Sequence, residues 1–296
     1  MEYSKPALTF EEQADRLLSR GLIADRDTLI SRLKVVNYYR LSGYLYPFRR
    51  KDDSYADGTT LEKVWRRYTF DRRLRLLVLD AIERVEVAAK TQIVYVLAHE
   101  TGPFGYTKQT NLPKLDTQQF AYFLQRIFEE TKHSREDYVL HFKKKYGAQN
   151  TYLPLWMLAE IMSFGELLTL FMGVETAIKQ KIAAQYGVAD VVLFSWSRSL
   201  NVTRNICAHH GRLWNRELGV RPMIPGERKH PQWYTPVIVR NNRIFGTLTV
   251  LKFMLGFCAP QSGWPHRVSE LLSIYPDVPI TAMGFPPDWT KCPIWE

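Results

Sequence analysis

Apolar residues recur along this chain at intervals of three and four much more than at two, which predicts helices almost throughout and leaves little strand-like alternation. The clearest stretch runs from about 61 to 99. There Leu74, Leu77, Val78, Ala81, Ile82, Val85, Ala88 and Ala89 fall on one face and are expected to form a buried stripe. Residues 153–173 are the most apolar segment. Trp156, Met157, Ile161, Phe164, Leu167, Leu168 and Phe171 read as one core helix, with Gly165 as a close contact or kink. Further helices are expected over 116–132, 137–146 and 177–186, then from Leu193 through Arg204 to His209. The last, over 245–258, should close the bundle.

The first residues show the same logic at smaller scale. Thr9-Phe10-Glu11-Glu12 has the capping-box form, in which a threonine hydroxyl and a glutamate carboxylate satisfy each other's orphan amides. A second helix is expected from about 25–27 through Leu29, Ile30 and Leu33. Residues 52–60, 101–115 and 218–243, rich in Gly, Pro or polar groups, read as linker, loop and irregular segment. The closing MGFPPDWTKCPIWE reads as an extended strap docked by Trp289 and Trp295. The fold expected is all-α: a small helical unit over 1–60, a helical bundle over 61–260, and a C-terminal strap over 261–296.

Composition narrows the function. With 296 residues, 46% hydrophobic and 24% charged, the chain has the make-up of a globular protein. No apolar run approaches the roughly 20 residues that span a bilayer. The opening MEYSKPALTFEEQ lacks the apolar centre of a signal peptide, so a cytoplasmic location with no membrane partner is expected. Cys207, Cys258 and Cys292 show neither disulfide nor zinc spacing, and no P-loop or dinucleotide glycine pattern occurs; neither metal nor cofactor is expected. A formal net charge of +10, from 40 Lys and Arg against 30 Asp and Glu, favours a polyanionic partner such as RNA.

The chemistry gathers in SWSRSLNVTRNICAHHGRLWNR, residues 195–216. Arg204 is followed five positions later by His209, then His210, with Gly211 where a glycine helix cap is expected. Guanidinium offers a planar fork matched to phosphate oxygens, and imidazole is the side chain whose ordinary pKa allows proton transfer near neutrality. A helix turns about 100° per residue, so positions five apart point about 140° away from each other. Two copies meeting across a twofold axis could pool both kinds of side chain in one cleft, which predicts a homodimer. The plainer reading makes Arg204 a carbonyl cap or carboxylate partner and His209 a half-buried packing residue. Cys207, between the two, reads as a small buried helix residue rather than a nucleophile.

Other segments supply candidates for support and binding. Glu83 and Glu86 lie one turn apart in IERVEVAAKTQ and are expected to pair with Arg204 or Arg216. Trp214 is expected to anchor the following loop, with Asn215 or Arg216 touching substrate or motif. NYYRLSGYLYPFRRK interleaves aromatics with cations. Most of Tyr38, Tyr39, Tyr44 and Tyr46 are expected to pack, leaving Arg40, Arg49 and Arg50 as RNA contacts. Arg66, Arg67, Arg72, Arg73 and Arg75 form a basic run, either a phosphate-facing ridge with Arg72 and Arg73 as contacts or a solvated face.

RNICAHHGRLWNRE resembles the signature of Abi-family abortive-infection proteins of the AbiD and AbiF kind, whose core is a HEPN domain. KPALTFEEQADRLLSRGL followed by NYYRLSGY, the ERxE-like element at Glu83–Glu86 and the closing segment resemble the same family. HEPN ribonucleases carry an R-x4-6-H motif, often with a polar residue after the arginine, here Asn205. The resemblance implies metal-independent RNA cleavage by a dimeric four-helix domain, with Arg204 and His209 catalytic and Asn205 and His210 orienting them or touching RNA. A small regulatory RNA is a further partner to consider. The rival expectations are a non-catalytic RNA-binding or regulatory module, and a bundle that binds only a protein partner.

Overall fold

The computed structural model describes residues 2, 4 and 6–296; Met1, Tyr3 and Lys5, part of the opening stretch, lie outside the described residues. The protein is all-α, with twelve α-helices and no strand among the described residues. Local sequence signals start most helices. α1 (Phe10–Ser19) has the expected capping box, Glu12 N donating to Thr9 Oγ1 at 3.1 Å and Thr9 N to Glu12 Oε2 at 2.7 Å. α2 (Arg26–Val35) is capped by Asp25. α3 (Tyr38–Leu45) is capped by Asn37, whose Oδ1 accepts from Tyr39 N at 2.8 Å. Leu41, Tyr44 and Leu45, at helical spacing, bury its inner face, and its cap and its docking on α4 (Leu61–Thr101) hold it.

α4 (Leu61–Thr101) is the spine, 41 residues and hence about 60 Å long. α5 (Thr117–His133) begins at a second capping box, from Asp116 and Gln119, and α6 (Asp137–Tyr146) follows. Next come α7 (Leu155–Ile161), α8 (Phe164–Gly173), α9 (Thr176–Ala184), α10 (Asp190–Ala208), α11 (Ile244–Cys258) and α12 (Trp264–Ile274). Helices α3, α7, α8, α9, α10, α11 and α12 all pack against α4. Its buried stripe is largely the expected one: Leu74, Val78, Ala81, Ile82, Val85 and Ala89 are buried, while Leu77 and Ala88 are half-covered.

Three features depart from the expected layout. Residues 153–173 form two helices, because Ser163 and Glu166 make a capping box that restarts the chain at Phe164, ahead of Gly165. Trp156, on the shorter of the two, is 52% exposed and lies outside the core. A helix, α12, follows the one expected to be last; Pro265 suits its first turn, where no amide hydrogen is needed. Beyond it the closing segment docks through Trp295, whose Nε1 donates to Thr249 Oγ1 at 3.0 Å, with Trp289 edge-on to the same ring.

The irregular stretch before α11 is laced onto α10. Trp196 Nε1 donates to Met223 O at 2.7 Å, Ser199 Oγ to Val220 O at 3.0 Å, and Met223 N to Ser195 Oγ at 2.9 Å. Trp196, Leu200, Thr203 and Cys207 bury one face of α10. Its opposite face and its C-terminal end remain open to solvent, which sets the place of the candidate chemistry.

Candidate functional site

The C-terminal end of α10 carries Arg204, Asn205, His209 and His210. His209 is the last residue with near-helical dihedrals, and His210 takes a positive φ of 58°. Gly211 N donates to Ile206 O at 2.7 Å and His210 N to Cys207 O at 3.0 Å, the paired bonds of a Schellman closure. The left-handed position is therefore His210 rather than the expected Gly211. Glycine eases the next position, where a Cβ would sit a tight 3.1 Å from Ile206 O. Histidine tolerates the left-handed region better than most residues with a side chain, and the closure turns the chain out of the helical path just after His209.

Asn205, His209 and His210 are exposed, and Arg204 is half-exposed. Arg204 forms no ion pair among the described residues; its side-chain neighbour is Asn205, with Nη1 3.4 Å from Oδ1. The plainer expectation of an arginine held by a carboxylate is thus not met. Neither is the pairing with Glu83 or Glu86. Glu86 lies 3.4 Å from Lys90 one turn on, and Glu83 faces solvent.

The carboxylate that anchors this end of the molecule is Asp71 of α4, which sequence reasoning did not single out. It is completely buried and accepts from four directions. Tyr44 of α3 donates its hydroxyl to Oδ2 at 2.5 Å, and the buried Arg75 guanidinium bonds the same oxygen. Trp214 N reaches Oδ1 at 2.6 Å and Leu213 N reaches it at 3.1 Å. Burial pushes the Asp71 carboxyl above the ordinary range, against the pull of Tyr44, Arg75 and the two amides. Four donors, one of them a guanidinium, converge on its two oxygens, and each favours the charged form.

The same loop is gripped twice more from the N-terminal helices. Arg40 Nη1 donates to His210 O, and Arg212 Nη1 donates to Gly43 O. Arg67 stacks between Phe48 and Trp214, 4.0 Å and 5.0 Å from the ring centroids. Trp214 is buried, as expected of an anchor. Asn215, at φ 53°, accepts from Arg243 Nη1 at 3.0 Å, while Arg216 Nε donates to Arg212 O at 2.7 Å; both are half-exposed and tied to neighbours rather than to Arg204.

The remaining predicted contacts divide. Arg40 is brought to the motif. Arg49 bonds Asp53, and Arg50 lies 3.0 Å from Asp57, so each already has an exposed carboxylate partner. The basic run on α4 is no continuous ridge. Arg66 is bonded to Asp277, Arg67 is stacked, Arg75 is buried, and only Arg72 and Arg73 are exposed, Arg73 near the Tyr275 ring. Among the tyrosines Tyr44 packs and Tyr38 is half-covered, but Tyr39 and Tyr46 are 75% and 66% exposed, contrary to expectation. Among the described residues no three His, Cys, Asp or Glu side chains cluster as metal ligands would, and no helix is long and apolar enough to cross a membrane.

A family model described as Abi-like protein matches residues 31–215, a stretch that holds Tyr44, Asp71, Arg75 and the whole Arg204–His210 end. Neither the curated proteins nor the solved structures return a match.

Two outcomes follow from the geometry. Replacing Asp71 with Ala leaves Arg75 buried without its partner and two amides without an acceptor, so urea unfolding should show a loss of about 3–5 kcal/mol. Burial pushes the Cys207 thiol up to about 12, so it stays protonated and sheltered at neutral pH. Maleimide at pH 8 should therefore leave Cys207 unmodified in the folded protein and label it only after denaturation, as read by peptide mass spectrometry.

Proposed function

Because the chain belongs to the Abi-like protein family, we propose that it is a metal-independent endoribonuclease of the HEPN kind acting in abortive-infection defence. One observation carries the reading. A half-exposed arginine with no ion pair among the described residues and two exposed histidines stand at one anchored helix end, inside the matched stretch.

In the reaction an RNA 2′-hydroxyl attacks the adjacent phosphorus. The new O2′–P bond forms as the P–O5′ bond breaks. His209 of one copy accepts the hydroxyl proton, and His209 of a second copy protonates the departing 5′ oxygen. Arg204, whose donors are not engaged by a carboxylate, faces the phosphoryl oxygens as negative charge grows on them, where preorganised donors contribute most. Asn205, beside Arg204, steadies the guanidinium, and His210 borders the substrate. The products carry a 2′,3′-cyclic phosphate and a 5′-hydroxyl.

Helix geometry supports a pairing of two copies. Arg204 and His209 diverge on a single helix, and two helix ends facing each other supply one of each to a shared phosphate. The net charge of +10 favours an RNA substrate and is compatible with a regulatory RNA as a second partner.

The test is cleavage of total RNA by the purified protein in EDTA beside Arg204→Ala and His209→Ala, with end-group analysis. The expected result is chelator-resistant cutting that falls by about two to four orders of magnitude in His209→Ala while RNA binding persists. Equal cutting by the variants, or complete loss in EDTA, would overturn the proposal. Binding without cutting by the wild type would point instead to a non-catalytic RNA-binding module.

A further inference from the structure

Helix α3 has two working faces. Arg40, Gly43 and Tyr44 grip the motif loop and Asp71, as described above. At about 100° per residue, Tyr39, Ser42 and Tyr46 fall on the other side. There they wall a cleft of about 340 Å³, within the range of small-ligand sites.

The rest of the cleft is basic and aromatic. The end of α1 contributes Arg16 and Arg20, and the turn after α3 contributes Arg49, Asp53 and Tyr55. Asp53 serves two of the three arginines: Arg49 is bonded to it and Arg20 lies 3.6 Å away. Arg16 has no ion pair among the described residues, so three guanidiniums face one carboxylate and the cleft keeps a positive excess. The exposed rings of Tyr39 and Tyr46 sit two turns apart along the same wall. Tyr38, edge-on to Tyr39 at 5.7 Å between centroids, fixes the first of them. Exposed rings beside cations in excess supply the two things a nucleotide needs, a face to stack on and a partner for its phosphate.

We propose that this cleft binds one nucleotide unit of single-stranded RNA. The base stacks on Tyr39 or Tyr46, and the phosphate is held by Arg16 and Arg20, with Arg49 shared between phosphate and Asp53. The site is separate from the Arg204–His209 end and stands whether or not that end cleaves RNA. An occupant would rest on the same short helix that grips the motif loop.

The full-length protein is titrated with a fluorescein-labelled, fully 2′-O-methylated oligoribonucleotide, which lacks the attacking hydroxyl and so reports binding apart from cleavage. Fluorescence anisotropy is compared for wild type, Tyr39→Ala, Tyr46→Ala, Arg16→Glu and a distant control, Arg135→Ala. The expected result is an affinity loss of about tenfold for at least one tyrosine variant. Arg16→Glu should bind more weakly with a shallower salt dependence, and the control should bind as wild type. Both tyrosines are largely exposed, so the melting temperature of their variants should not move. A parallel arm adds AMP as competitor. Displacement identifies a seat that also takes a free nucleotide, and no displacement with weakened tyrosine variants identifies a seat that needs the RNA chain. Wild-type binding by both tyrosine variants and Arg16→Glu, or no binding of either probe by the wild type, overturns the assignment.

Discussion

A carboxylate with no access to water holds the Arg204–His210 end of this protein in place. A lone buried charge is costly, and Asp71 is tolerated because α3, α4 and the chain after α10 each supply a donor. None of the three elements can move independently without stranding a charge or an amide. The price of burying Asp71 is thereby converted into a fixed relation between the N-terminal helices and the loop that follows His210.

The consequence for chemistry lies in the contrast between base and surface. Beneath the helix end, Asp71, Arg75, Cys207 and Trp214 are buried. Above it, the two histidines are exposed, and Arg204 is hydrogen-bonded to the Asn205 amide with no ion pair among the described residues. Guanidinium and imidazole on an anchored base, with no ion pair to the guanidinium among the described residues, suit the proposed recognition of a charge that appears only during reaction. Arg40 and Arg212 extend the grip outward by holding backbone carbonyls, which fixes the loop while leaving the histidine rings open.

Legibility in the sequence followed distance along the chain. Capping boxes at Thr9–Glu12 and Asp116–Gln119 connect residues three apart, and α4 and α10 follow long periodic stripes. The Ser163–Glu166 box is equally local, and it divides the single helix that the apolar run over 153–173 predicts. Local pattern offers Asp71 only Arg75, one turn on; the donors that mark it as an anchor lie 27 residues before it and 142 and 143 residues after it. The arginine run misleads for the same reason: Arg66 faces Asp277 and Arg67 the Phe48 and Trp214 rings, partners that local pattern does not show, whereas Arg75 pairs with Asp71 one turn before it. Glu83 and Glu86 were credible carboxylates on the right helix, yet Asp71 lies on the part of α4 that meets the motif loop. The motif itself was legible as a spacing, and the exchange of roles between His210 and Gly211 became visible only with the backbone closed.

Amide hydrogen exchange in the native protein tests the anchoring claim most directly. If Asp71 fixes the loop, the Leu213 and Trp214 amides should exchange as slowly as those in the middle of α4, although they lie outside any helix. Exchange of both at the rate of an open surface loop would show that the buried carboxylate does not hold the motif end, and the account built on it would fail.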